Sequence, residues 1–374
     1  MKNSLGVIVF LLLAVCRAQI GASIHTLPQG DQDEVLIDRP EFYLMDWDQG
    51  VKLIEKETPL SIMVDSMGQQ EVRMLTDEKS NPVLYTSDIE TPVCADGECR
   101  LMHIRLYWTL LGEYAGFDRF PGLPLTKHDH DEFLQADYLK LHHLLSDKLS
   151  ILERRSIDEL VVKPEQPEVE GADALSGATI TEVKESVVAG ALYSCYVAWH
   201  LVHGAIKEDI KKYTMSLVNE EMVRTMLNSN SVDYQMFALN RLEIEKYPEY
   251  VDRISEIFES GIPMVRSFII KNLPDVFWNT EKLQRPFWNN FAKVDINSRS
   301  LLLDHLESAS IATLEDISSQ LGAMTKNQLK SYLQHLEEQR IKSRIIHKNL
   351  ENFSSSDSEK YAYLVAQYLE ENNN

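Results

Sequence analysis

Positive charge is scarce in this sequence. Its 37 Lys and Arg stand against 58 Asp and Glu, a formal net charge of −21 at pH 7. A surface of that sign repels phosphate backbones and anionic membranes, which disfavours nucleic acid as a partner and leaves cationic proteins and small cofactors open. Cysteine is sparse as well, with 4 in 374 residues. No Cys-x-x-Cys-His occurs, so covalent c-type haem is excluded, and no second cysteine pair follows Cys94 and Cys99 to complete a zinc site. Neither a nucleotide-cradling glycine-rich loop nor a Gly-x-Ser-x-Gly nucleophile elbow is present. Beyond the N-terminus, no apolar run approaches the ~20 residues of a membrane-spanning helix.

What is there begins with an export signal. Lys2 precedes an apolar run from Leu5 to Val15, and Ala18 offers a small residue for cleavage. Residues 1–18 are therefore expected to be a signal peptide, which places the mature chain on the periplasmic or cell-surface side of a membrane. The bulky Val15 immediately before Cys16 disfavours lipoprotein anchoring at that cysteine.

The remaining length allows about two domains of common size. Short runs at Leu60–Val64, Glu71–Leu75 and Pro82–Tyr85, bounded by Asp, Gly, Asn and Pro, predict an antiparallel meander. Met102, Ile104, Leu106 and Trp108 continue it on one side of a period-two pattern. A helix is expected to begin near Asp129 or Asp131, with Phe133, Tyr138, Leu141, Leu144 and Leu145 at helical spacing. An acidic connector with Pro164 and Pro167 follows. A single helix is then expected from Thr181 to His203, lined by the small or apolar Val183, Val187, Gly190, Ala191, Ser194 and Ala198, with Cys195 a buried small hydrophobe and Gly204 at its end. From Glu208 on the pattern is helical throughout. Leu242, Leu273, Leu306 and Leu336 recur roughly thirty residues apart, the period of stacked helical hairpins. That spacing resembles degenerate HEAT-type repeats, with an irregular bundle as the alternative.

The chemistry-bearing segment is Asp173-Ala-Leu-Ser-Gly-Ala-Thr179. It closely resembles the flavinylation motif of the FMN-binding domain family, found in the C subunit of the sodium-translocating NADH:quinone oxidoreductase and the G subunit of the Rnf complex. The family pattern is Asp, two variable residues, Ser or Thr, Gly, Ala, then the acceptor Thr or Ser. Asp173, Ser176, Gly177, Ala178 and Thr179 fill those places. The resemblance implies FMN carried on Thr179 through a phosphoester, attached by a separate FAD-dependent flavin transferase. A phosphate there would meet the free N–H groups and positive dipole end of the expected helix. The same residues also read as an ordinary start signal, since Thr179 and Glu182 have the spacing of a capping box. A large helical half is no part of the basic FMN-binding domain, so a stand-alone carrier or adaptor is implied rather than a pump subunit.

Other residues carry weaker signals. His200 and His203 share a helix face and could ligate a metal, although a histidine at a helix end more often complements the dipole. His128 and His130 precede a helix, where exposure is the expected state. Tyr107, Trp108, Tyr114 and Phe117 could stack on a flavin or fill a core.

The expected architecture is α+β: an FMN-binding domain at 30–207 with an antiparallel sheet and helices, then an all-α repeat-like domain at 208–370. The expected function is extracytoplasmic electron transfer by FMN on Thr179, as a carrier or redox subunit more than a stand-alone enzyme, with a redox partner protein at the helical domain. One rival is a non-catalytic exported interaction protein. Another is thiol–disulfide chemistry at Cys94 and Cys99, which flank the turn dipeptide Asp96-Gly97. In an oxidising compartment those two cysteines are expected to be joined in a disulfide. Thiol counting on the denatured, unreduced mature protein should find one free thiol, Cys195; a count of three would reopen dithiol or metal chemistry at the turn.

Overall fold

The computed structural model describes residues 36–37, 40–45, 52–64, 67–93, 101–127, 130–162, 178–179 and 181–372. The expected signal segment with Cys16, the expected turn between Cys94 and Cys99, His128, and Asp173, Ser176 and Gly177 of the motif lie outside the described residues. The chain divides into two compact units, Met1–Val218 and Asn219–Asn374. Together they make an α+β protein, with an antiparallel sheet first and helices after.

The first unit contains β1 (Leu36–Ile37), β2 (Phe42–Tyr43), β3 (Leu53–Lys56), β4 (Ser61–Val64), β5 (Gly68–Glu71), β6 (Arg73–Thr76), β7 (Pro82–Thr91), β8 (Met102–Thr109) and β9 (Tyr114–Arg119). Seven of these form one antiparallel sheet in the order β1-β3-β6-β7-β8-β9-β2. The expected meander is there, with one change: β4 pairs only with β5, as a separate hairpin. Gln70 then ties that hairpin to the sheet, its side-chain amide giving a 2.6 Å bond to the Glu90 carbonyl and accepting the Glu90 N–H at 3.0 Å.

Period-two alternation sorts the sheet into two faces. Met102, Ile104, Leu106 and Trp108 point to one side, each at most 3% exposed. Helices cover that side: α1 (Gln135–Ser146), α3 (Leu192–His203) and α4 (Ile206–Leu217). The Trp108 indole N–H donates to the Val202 carbonyl at 3.0 Å, and the Tyr85 and Thr214 hydroxyls meet at 2.9 Å. Phe42 stacks on Phe117 with centroids 4.5 Å apart. There β2 lies so close to β9 that a Cβ at Gly116 would sit 2.1 Å from the Phe42 carbonyl oxygen. The predicted helix face of Phe133, Tyr138, Leu141, Leu144 and Leu145 is buried, although α1 begins only at Gln135. Because α4 packs on Tyr85, the first unit extends past Lys207 to Val218.

The single helix expected from Thr181 to His203 is broken. One turn, α2 (Thr181–Lys184), is followed by a turn segment before α3 begins at Leu192. Gly190 takes φ +72°, a left-handed conformation that no helix interior accommodates and glycine adopts without steric cost. The break lets Val187 and Val188 enter the core, 2% and 0% exposed, and lets the Val188 N–H reach Cys195 Sγ at 3.4 Å. Cys195 is fully buried, as expected, and burial pushes its thiol pKa up to about 12.

The second unit is a two-row stack of helices: α5 (Glu220–Asn228), α6 (Val232–Arg241), α7 (Val251–Ser260), α8 (Pro263–Asn272), α9 (Asp275–Trp278), α10 (Glu281–Trp288), α11 (Ile296–Leu303), α12 (Ile311–Ser318), α13 (Lys326–Glu338), α14 (Arg344–Ser354) and α15 (Ala362–Asn372). One row runs α7, α10, α12, α14 and the other α6, α8, α11, α13, α15, each helix touching the next. Leu273, Leu306 and Leu336 are buried in this stack, whereas Leu242, the first of the expected series, is half-buried.

A second repeat, polar, follows the same period. The fourth residue of α6, α8 and α11 is Gln235, Arg266 and Arg299. Each donates to carbonyls that close the preceding segment: Gln235 to Ser229 at 2.9 Å, Arg266 to Phe258 and Glu259 at 2.9 and 2.8 Å, Arg299 to Val294 at 2.7 Å. The last carbonyls of a helix lack intrahelical donors, and Gln235 and Arg266 supply them at the ends of α5 and α7, while Arg299 serves the turn before α11. Arg266→Ala is expected to cost about 1–3 kcal/mol in chemical denaturation of the full chain, while the exposed Lys271→Ala stays within about 0.5 kcal/mol. Equal stability of the two variants would show that the carbonyls find other donors.

Candidate functional site

Thr179 lies on a two-residue strand, β11 (Ala178–Thr179), which pairs antiparallel with β10 (Val161–Val162), Val161 opposite Thr179. The extended backbone replaces the helix cap that the Thr179/Glu182 spacing suggested, and α2 starts at Thr181. With only four residues in α2, the long dipole expected to face a phosphate here is absent, and the next helix begins only at Leu192.

Bonds from α3 hold the end of α1 and the first part of the connector that leads on to β10. Between α1 and β10 the chain passes through two short 3₁₀ turns, Ile151–Glu153 and Ile157–Glu159. Its carbonyls would be orphaned in so irregular a path. Three side chains from the last turns of α3 answer them. Trp199 Nε1 donates to the Asp147 carbonyl at 2.9 Å, His203 Nε2 lies 2.9 Å from the Leu145 carbonyl, and His200 Nε2 lies 3.1 Å from that of Leu152. A carbonyl only accepts, so both histidines carry the proton on Nε2. Their rings pack against neighbouring aromatics, His203 on Trp199 at 4.5 Å and His200 on Tyr196 at 4.3 Å. The expected His200/His203 pair is thus brought together as a clamp on the end of α1 and the connector, with Nε2 of each ring engaged by a carbonyl. On the other flank, Lys140 of α1 reaches the Lys184 carbonyl at the end of α2 at 3.4 Å. Among the described residues no three His, Cys, Asp or Glu side chains are grouped to hold a metal ion.

The aromatic run expected as a flavin platform is core. Tyr107, Trp108 and Phe117 are 0% exposed and Tyr114 is 5%. Tyr114 hydrogen-bonds His142 Nδ1 at 2.7 Å, and Tyr107 donates to Asp118 Oδ2 at 2.6 Å. None of the four presents a ring face for stacking.

A group with no signature in the sequence occupies the sheet face opposite the helices. Asp88 of β7 receives Arg105 of β8, at Nε–Oδ1 2.5 Å and Nη2–Oδ2 2.9 Å, and also Arg73 of β6 at 2.7 Å. Glu55 of β3 pairs with Arg73 at 2.8 Å. Burial alone would raise the Asp88 carboxyl, but hydrogen bonds and charge from Arg105 and Arg73 hold it below the usual carboxylate range. At Glu55, 11% exposed, burial outweighs the attraction of both arginines and the pKa rises. Asp118 is raised in the same way, by burial, in spite of the Tyr107 hydroxyl. The register Asp88↔Arg105 creates this cluster, which is internally paired and structural in character.

No known protein family, curated protein or solved structure matches this chain. Among the described residues no helix is long and apolar enough to cross a membrane.

Burial lowers the pKa of His142, His200 and His203 below the unfolded value. The unfolded chain therefore takes up protons first as pH falls, so their contribution to stability is complete above about pH 6.5 and is lost below it. The thermal midpoint should drop between pH 7 and pH 5. In the double variant His200→Gln/His203→Gln the amide keeps a donor for each carbonyl and cannot titrate, so the drop should be smaller. An unchanged slope would assign the pH dependence to other groups.

Proposed function

We propose that the first unit is an extracytoplasmic electron carrier that holds FMN covalently, through a phosphoester to Thr179 Oγ1. The observation that carries this reading is the sequence Asp173-Ala-Leu-Ser-Gly-Ala-Thr179, in which each position of the flavinylation pattern is filled. Its context supports it. The motif ends on an extended strand that pairs with β10.

The attachment chemistry fits the residues present. With FAD as donor, Thr179 Oγ1 forms a bond to the FMN phosphorus, the pyrophosphate bond breaks, AMP leaves and the hydroxyl proton is lost to base. Gly177 and Ala178 leave the backbone open to a flavin transferase, which is the maturation partner this reading requires. Phosphate stabilisation by a long helix does not fit, because α2 has four residues. Ring stacking by Tyr107, Trp108, Tyr114 or Phe117 does not fit either, since all four are buried. When bound, FMN supplies one- or two-electron redox chemistry, and the protein's part is attachment and shielding. The stacked second unit offers the extended surface on which a redox partner would dock.

Co-expressed with a flavin transferase and exported, the protein should remain yellow after denaturation. FMN should be found on the tryptic peptide 156–184, which stays in one piece because Lys163 precedes Pro164. Thr179→Val should carry no flavin. A wild-type protein without label, or a Thr179→Val variant that keeps it, would overturn the assignment.

A further inference from the structure

The far end of the second unit runs against the charge of the rest of the chain. From Arg340 to Leu350 there are four Lys or Arg and no Asp or Glu, in a protein of formal charge −21. Arg340, Lys342, Arg344 and His347 line a cleft of about 630 Å³ between the end of α13, the start of α14 and the last turns of α15. That volume lies within the roughly 300–1,000 Å³ of ligand-binding clefts. Its floor includes Ile346 and Leu350, 4% and 2% exposed, and Glu337 is its one carboxylate.

Arg340 is the informative residue. Helix α13 closes with the Arg340 N–H bonded to the Glu337 carbonyl at 3.1 Å and the Ile341 N–H to that of Leu336 at 3.0 Å. In this closure the residue after the helix takes a left-handed backbone, and glycine is the usual occupant. Here φ is +50° on an arginine. A side chain in that region is strained relative to glycine, and the Arg340 side chain is exposed. Neither Arg340, Lys342 nor Arg344 makes a side-chain hydrogen bond or ion pair among the described residues. The fold thus places an unfavourable residue where its charge serves no internal contact, a pattern that points to function.

We propose that this cleft binds an acidic peptide segment of a partner protein. Its carboxylates would face Arg340, Lys342 and Arg344, and an apolar side chain would rest on Ile346 and Leu350. Charge complementarity selects the occupant. Groups that hold a single phosphate converge on one point, whereas these cations are exposed and set at alternate positions, Arg340 and Lys342 on the non-helical turn after α13 and Arg344 at the first residue of α14. They present a row of charge, which suits successive carboxylates on a chain. The cleft lies wholly in the second unit, so the inference stands independently of flavin at Thr179.

The test uses the full-length protein without flavin and a fluorescein-labelled peptide, Glu-Glu-Leu-Glu-Glu-Leu, read by fluorescence polarisation at low salt. Binding should saturate and weaken with added salt. It should fall about tenfold in Arg340→Gly/Arg344→Gln, the scale of two exposed ion pairs removed together. Lys330→Gln, an exposed change on α13 away from the cleft, should leave it unaltered. Arg340→Gly alone should unfold at a temperature no lower than wild type, because it relieves the left-handed arginine, while still binding more weakly. The proposal is overturned if wild type does not bind the peptide, or if Lys330→Gln weakens binding as much as the cleft variant. It is overturned equally if inorganic tripolyphosphate binds at the cleft and the peptide does not.

Discussion

The first unit depends on one helix supplying donors to carbonyls that no regular ladder can reach. Between α1 and β10 the backbone follows two short 3₁₀ turns, and an unpaired buried carbonyl there would cost about 1–3 kcal/mol. Helix α3 answers with Trp199, His200 and His203, while its own Val202 carbonyl takes the Trp108 indole from the sheet. The helix is therefore bonded on one side to the sheet and on the other to the connector. The end of α1 and the start of the connector are held by that double attachment.

The second unit meets the same demand by repetition. Gln235, Arg266 and Arg299 each close the segment before them, and Arg266 also comes within 3.4 Å of Asp295, the N-cap of α11. One side chain thereby serves the end of one helix and faces the start of another. Arg253 does likewise across a row, donating to the Leu227 and Ser229 carbonyls at the end of α5. The apolar stack sets which helices touch, and these polar side chains set how their ends are joined.

Much of this was legible where one residue's neighbours in sequence decide its environment. The alternation in β8 and the helical spacing in α1 named buried residues correctly, because periodicity of two and of 3.6 reports directly on one face. The recurrence of Leu273, Leu306 and Leu336 reported the stack for the same reason. The break at Gly190 was not legible. A glycine in an apolar, small-residue run reads equally well as close packing within a helix, and its φ of +72° is decided by the core that Val187 and Val188 enter. The ionic face was hidden too, since Asp88 meets Arg105 only through strand register. Of the candidate site, the motif is wholly a sequence feature, whereas the hold of α3 on the connector rests on His200 and His203, whose residue type suggested a metal before geometry gave them carbonyl partners. Arg340 carries no sequence sign of its backbone conformation, because left-handed caps are read from glycine.

Burial of Cys195 also has a consequence for the order of events in folding. In the exported chain proposed above, with Cys16 removed along with the signal, three accessible thiols could pair in three ways while the chain is unfolded. Once α3 seats on the sheet, the Cys195 thiol is enclosed and its pKa stands at about 12, which leaves almost no thiolate to attack another sulfur. In that setting core formation would leave the proposed Cys94–Cys99 pairing as the remaining choice. A chain slow to dock α3 would, in that setting, keep the Cys195 thiol open to mispairing for as long as docking took.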